Sequence, residues 1–110
     1  MRPSKAQRFS YPKDLLDRAD FKNTGVREWR LVRTVEPTPL EPNVSLDIKE
    51  HGYFVLSGPL PLGMWLDEKT GIIAGTPLER QDSTIIVIAA TNQKSDEVVE
   101  SPEFSIRVIE

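Results

Sequence analysis

The sequence predicts an all-β fold, a β-sandwich preceded by a basic N-terminal extension. Two observations predict it. Short runs rich in Val, Ile, Thr and aromatic residues recur along most of the chain, and such runs favour the pleated, half-buried surface of a strand. Gly and Pro clusters separate these runs at short intervals, which leaves room for tight turns but not for long helices. No segment repeats, and none is of low complexity.

Residues 1–11 read as an extended tail. Pro12 suits the first turn of a short helix running to about Ala19, with Leu15 and Leu16 as its apolar contacts. Asn23-Thr24-Gly25 is a turn, and 28–35 is a strand. In that strand Trp29, Leu31 and Val35 share one face, interrupted by Arg33, while Arg30, Val32 and Thr34 share the other. Pro37, Pro39 and Pro42 forbid regular ladder pairing and mark a connector. Short strands are expected at 44–48 and 53–56, with Glu50-His51-Gly52 as the turn between them. Leu66 ends a strand, Asp67 to Gly71 makes a tight turn, and Ile72-Ile73 resumes. Gly71 supplies a positive φ there, and Asp67 accepts hydrogen bonds from the amides that follow it. The β-branched run 84–90 is a long strand, 92–98 a turn region, and 104–109 the closing strand.

Composition excludes several classes of chemistry. The chain has 110 residues, one His and no Cys. It therefore has room for one domain or one domain with a tail, and no disulfide framework, thiolate metal site or Cys nucleophile. A single imidazole also excludes the common zinc sites. The lone His51 has no Ser/acid framework around it, and no Gly-rich loop precedes a Lys-Ser/Thr pair. Asp67-Glu68 and Asp96-Glu97 are sequence neighbours in turns, whereas a glycosidase dyad needs opposed carboxylates. The reading is non-enzymatic, with no cofactor and no membrane-spanning segment.

Charge divides the chain into 1–35 and 36–110. Residues 1–35 hold nine basic and four acidic groups; 36–110 hold five basic and thirteen acidic. A basic arm on an acidic domain lies back on that domain or docks on an acidic partner surface. The basic residues are scattered and carry no aromatic RNA-binding signature, which weighs against nucleic acid. No apolar leader is visible, so the chain is expected inside the cell, in a cytoplasmic, cytoskeletal or organellar assembly, and outside it only as a piece of a longer protein. Asn43-Val44-Ser45 matches a glycosylation sequon.

Phe54-Val55-Leu56-Ser57-Gly58-Pro59-Leu60-Pro61-Leu62-Gly63-Met64-Trp65-Leu66-Asp67, followed by Lys69-Thr70-Gly71-Ile72-Ile73-Ala74-Gly75-Thr76-Pro77, resembles the hallmark of the putative immunoglobulin-like domain family, related to cadherin-like and dystroglycan-type domains. Ala90-Thr91-Asn92 and Phe104-Ser105-Ile106-Arg107-Val108 fall at the matching later places, so the resemblance covers about 37–110. It implies an immunoglobulin/cadherin-like sandwich and an adhesion-like or scaffold use. Trp65 stands where that family usually has a small polar residue. The Asp-rich calcium motifs of cadherins are missing, so calcium is not expected.

In the run 85–90 the resemblance turns Ile86, Ile88 and Ala90 inward, which leaves Ile85, Val87 and Ala89 on the other face. A sandwich strand facing water should alternate with polar residues. Leaving Ile85 and Val87 in water would forgo about 1.5–3 kcal/mol each. Either a cover is therefore expected, the segment before Pro37 (through Leu15, Leu16, Phe21 or Trp29) or a partner protein, or the register is slipped by one residue, which swaps the faces. The interface candidates are Trp29, Trp65, Ile85 and Val87, with Arg2, Lys5 and Arg8 on the basic arm. The expected function is a protein-interaction or structural module, a small subunit held in a larger assembly by that arm and an apolar sheet face. The alternative is an extracellular adhesion or carbohydrate-associated module from a multidomain surface protein.

Overall fold

The computed structural model describes residues 9–12, 27–43, 48–94 and 96–110. Seven strands are described: β1 (Arg27–Val32), β2 (Ile48–Ser57), β3 (Met64–Leu66), β4 (Ile73–Gly75), β5 (Gln81–Asn92), β6 (Val98–Glu100) and β7 (Phe104–Ile109). They form two sheets. One has the order β1-β7-β5-β2, with β6 also on β5; the other is the hairpin β3-β4. The fold is all-β, as expected. The short helix expected at 12–19, beyond Pro12, and the turn at 23–25 lie outside the described residues, as does the strand expected at 44–48 up to Ile48.

The centre of the large sheet is one long hairpin. β5 pairs antiparallel with β6 through Ala89↔Glu100 and with β7 through Ile86↔Phe104. β6 and β7 are thus successive pieces of one return strand, broken near Pro102, which has no amide to donate. Ser101 fills the break: its N–H donates to the Ile88 carbonyl at 2.8 Å and its Oγ accepts from the Ile88 N–H at 3.1 Å. The acidic, Pro-interrupted composition of this stretch hid β6 from the sequence reading.

β1 adds to the far side of β7 as a parallel strand, Trp29 opposite Ile106 and Leu31 opposite Val108. The expected strand 28–35 is shorter than its pattern suggests, because a turn intervenes at 33–34 with Thr34 at φ 66°. Val35 consequently leaves the Trp29 face and is exposed. The expected turn at Glu50-His51-Gly52 is absent as well. β2 runs through it, with a shift of register between Ile48 and Tyr53 and with Gly52 buried. A glycine that looked like a chain reversal marks an irregularity in the ladder.

The β3-β4 turn is built as its residues predict. Gly71 has φ 78°, and the Lys69 and Thr70 amides donate to Asp67 Oδ1 at 2.8 and 3.3 Å. The Lys69 amide above all holds the Asp67 carboxyl below its ordinary value. A carboxyl lowered in the folded state stabilises the fold above its unfolded pKa, and that contribution fades as pH falls through the folded value. Asp67→Asn keeps the acceptor but not the charge. Its stability is therefore expected to fall less steeply than wild type between about pH 5 and pH 2, by chemical denaturation at each pH. Parallel curves would refute the assignment.

A single cluster of buried side chains joins the sheets. Ile86, Ile88, Ala90, Phe104, Ile106 and Val108 come from the central hairpin, Trp29 and Leu31 from β1, Tyr53 from β2, and Ile73 from β4. Leu40, from the Pro-rich connector, bridges to Ile73 and is fully buried. Phe9 and Tyr11 insert from the N-terminal side. Phe9 meets Tyr53 edge to face at 5.7 Å, Tyr11 lies 5.5 Å from Phe104, and the Tyr11 hydroxyl donates to the Gly71 carbonyl at 2.7 Å. Burial pushes the Tyr11 phenol far above its ordinary range, and neighbouring Tyr53 adds to the effect. Asn43 holds the intervening Ser10: its N–H donates to the Ser10 carbonyl at 2.9 Å, and its Oδ1 accepts from the Ser10 N–H at 3.2 Å.

Candidate functional site

The face of the large sheet that points away from the core is set by strand register. Glu28, Ser105 and Ile85 lie in one row across β1, β7 and β5. Val87 lies opposite Ser57, and Ala89 between Phe54 and Glu100. This face is half apolar and unevenly covered. Ile85 and Phe54 are exposed at 41% and 40%, while Val87 is 8% exposed and Ala89 fully buried. Ala89 is small and flanked by a phenyl ring and a long carboxylate side chain. Val87 is correspondingly less accessible than the alternation of the run implies.

At the β1 end the same face holds a carboxylate that the sequence reading did not single out. Glu28 is 3% exposed. Its Oε2 accepts from Ser83 Oγ and, at 3.5 Å, from Ser105 Oγ, and its Oε1 lies 3.6 Å from Arg30 Nη2. A buried carboxylate has to be paired or hydrogen-bonded, and these three groups do that. In sequence Glu28 looks like any surface charge; only the register brings Ser83 and Ser105 to it.

The interface candidates are not brought together. Trp29 is 4% exposed and belongs to the core, because it and Leu31 stand on the same buried face of the sheet as Ile106 and Val108, their register partners on β7. It is not a surface residue. Val87 is buried, Ile85 exposed. Trp65 is 53% exposed on β3, on the opposite layer from Ile85, since Met64 and Leu66 on either side of it turn toward the core. Arg2, Lys5 and Arg8 lie outside the described residues, as do Leu15, Leu16 and Phe21. Exposed apolar residues that sequence reasoning passed over are Phe54, Val55 and Leu56 on β2 and Leu62 and Leu78 near the β3-β4 hairpin. Leu62 and Leu78 are joined by a backbone bond, the Leu78 N–H donating to the Leu62 carbonyl at 2.9 Å. The signal for β2 was present: Phe54-Val55-Leu56 breaks the alternation a half-buried strand should show.

A cleft of about 630 Å³ opens between Phe9, Ser10 and Asn43 on one side and Val99, Glu100 and Ser101 on the other. Of its polar groups, Asn43 bonds Ser10 and Ser101 bonds the Ile88 backbone. Among the described residues there is no group of three His, Cys, Asp or Glu side chains placed to hold a metal ion, and no helix long and apolar enough to cross a membrane.

No curated protein and no solved structure shows significant similarity to the chain. A family model does match it, that of the putative Ig domain, over residues 34–109. The match takes in the Pro-rich connector, the Gly63 and Gly75 turns and the central hairpin, and it leaves out β1 and the Phe9–Tyr11 insertion that complete the core. With well over half of its length covered and a two-sheet β architecture around one core, the chain belongs to the putative Ig domain family.

Proposed function

We propose that this chain is a non-enzymatic protein-interaction or structural module, a small subunit of a larger protein assembly. An Ig-like domain suggests such a module in general, although a fold alone does not choose a function. The observation that carries the finer reading is the surface distribution of apolar side chains. Large side chains stand exposed on both layers, Ile85 and Phe54 on one and Trp65 on the other. A Trp exposed by half on a three-residue strand contributes little to its own domain, and a partner that covered it would gain a large apolar contact. The basic arm supplies the second contact. With nine basic groups against four acidic ones in 1–35, it complements an acidic protein surface through long-range attraction.

The test is purification of the intact chain from its native source, with bound proteins identified by mass spectrometry. A stoichiometric partner is expected. Trp65→Ser and Ile85→Ser should reduce its recovery without changing the fold, since both side chains are exposed. Replacing Arg2, Lys5 and Arg8 by Ala should weaken recovery most at low salt, where charge attraction is least screened. A chain that elutes alone at every salt concentration would end the proposal.

A further inference from the structure

β2 is an edge of the large sheet, and its open side can be read residue by residue. The Tyr53 N–H points away from β5, because it donates to the Glu68 carbonyl at 3.0 Å. Two residues on, Val55 points the same way. Its partner Ile88 confirms this, since the Ile88 N–H and C=O are both used by Ser101 on the opposite side of β5. The N–H and C=O of Val55 therefore face outward, with no partner among the described residues.

Natural edge strands are usually guarded by Lys, Pro or inward charges. This one is not. From Tyr53 to Leu66 the sequence holds no charged residue. The register shift between Val55 and Ser57 leaves an exposed Leu56 at the irregularity, and Phe54, Val55 and Leu56 are exposed in succession. The open window is short and closed at both ends. Glu68 occupies the amide of Tyr53 at one end, and Pro59 offers no amide beyond the other.

We infer that this edge pairs with the same edge of a second copy of the chain, antiparallel about a two-fold axis at Val55. Four features select that occupant. Outward main-chain groups at a sheet edge are matched by an added extended strand. A two-fold at Val55 lets each Val55 N–H donate to the Val55 carbonyl of the other copy, so the reciprocal pair is self-matched. A window closed after a few residues on each side gives a long foreign strand nothing further to bond, whereas a second copy has the same length of open edge. The uncharged stretch puts no like charges opposite one another, which a self-contact requires. This inference does not depend on the proposed assembly partner, whose candidate contacts are Trp65, Ile85 and the basic arm.

Sedimentation equilibrium of the full chain, up to high-micromolar concentration, tests it. A monomer–dimer equilibrium is expected for wild type. Val55→Pro removes the outward N–H without touching the β5 ladder, and should raise the dimer dissociation constant about tenfold or more. Leu56→Lys places a charge at the edge of both copies and should do the same; its side chain is exposed, so it reports even where the Pro variant fails to fold. Trp65→Ser should leave the dimer unchanged. A wild-type chain that stays monomeric throughout, whether its edge is closed or reserved for another strand, overturns the inference. So does a dimer that both edge variants leave intact.

Discussion

The fragment 36–110 is expected to show no cooperative thermal transition, although it contains nearly all of the family match. Removing residues 1–35 takes Phe9, Tyr11, Trp29 and Leu31 out of the core, each exposed by only 3–4% in the whole chain. Deleting one buried aromatic costs about 3–5 kcal/mol, and deleting one buried Leu about 2–5 kcal/mol. The four together exceed about 10 kcal/mol, and an entire domain is stable by only about 5–15 kcal/mol. The cut also strips β7 of its parallel partner and frees a new edge beside Ile106 and Val108. Scanning calorimetry of the fragment against the full chain checks this. Comparable melting temperatures would mean that the N-terminal segments decorate the sandwich without completing it. Phe9→Ala and Tyr11→Ala in the full chain separate the inserted aromatics from β1.

Gly75→Ala is expected to be a strongly damaging single-methyl change in the β3-β4 layer. Gly75 has φ 113°, outside the reach of most side chains, and an added Cβ would overlap the Gly63 carbonyl oxygen and stand 2.8 Å from Met64 Cα. Both obstacles are backbone, so no side chain can rotate aside. Backbone strain and overpacking together should cost on the order of 4 kcal/mol. In a domain of this size that lowers the melting temperature by about 15 °C or more. Gly58→Ala is the internal comparison: its Cβ would meet Val55 Cγ1 at 3.0 Å, a side-chain methyl, and its φ is unremarkable. Equal losses from the two substitutions would contradict the argument from Gly75 geometry.

Both predictions locate what was legible in the residues. The Thr70-Gly71 and Gly75-Thr76-Pro77 punctuation was readable because turn chemistry is local: a positive φ or an Asp67 carboxylate capping two amides needs only the next few residues. The inward set Ile86, Ile88 and Ala90 was readable through the family hallmark and the period-two pleat. The core assignment of Trp29 was not. Its strand pattern said which residues share a face with it, but not that β1 would pair with β7 and turn that face into the core.

The sequence by itself determined that this chain is an all-β sandwich, where the β3-β4 hairpin turns, and that its basic groups gather at the N-terminal end. Those features depend on backbone preference, side-chain alternation and composition, all encoded within a few residues. Only the tertiary structure decided that β6 and β7 share one return line, that Glu28 is buried against Ser83 and Ser105, that Phe9 and Tyr11 fill the core, and that β2 rather than β7 is left at an edge. Exposure is a property of pairing between distant segments. A residue's own neighbours in sequence fix which way it points, while strands dozens of residues away fix what it points at.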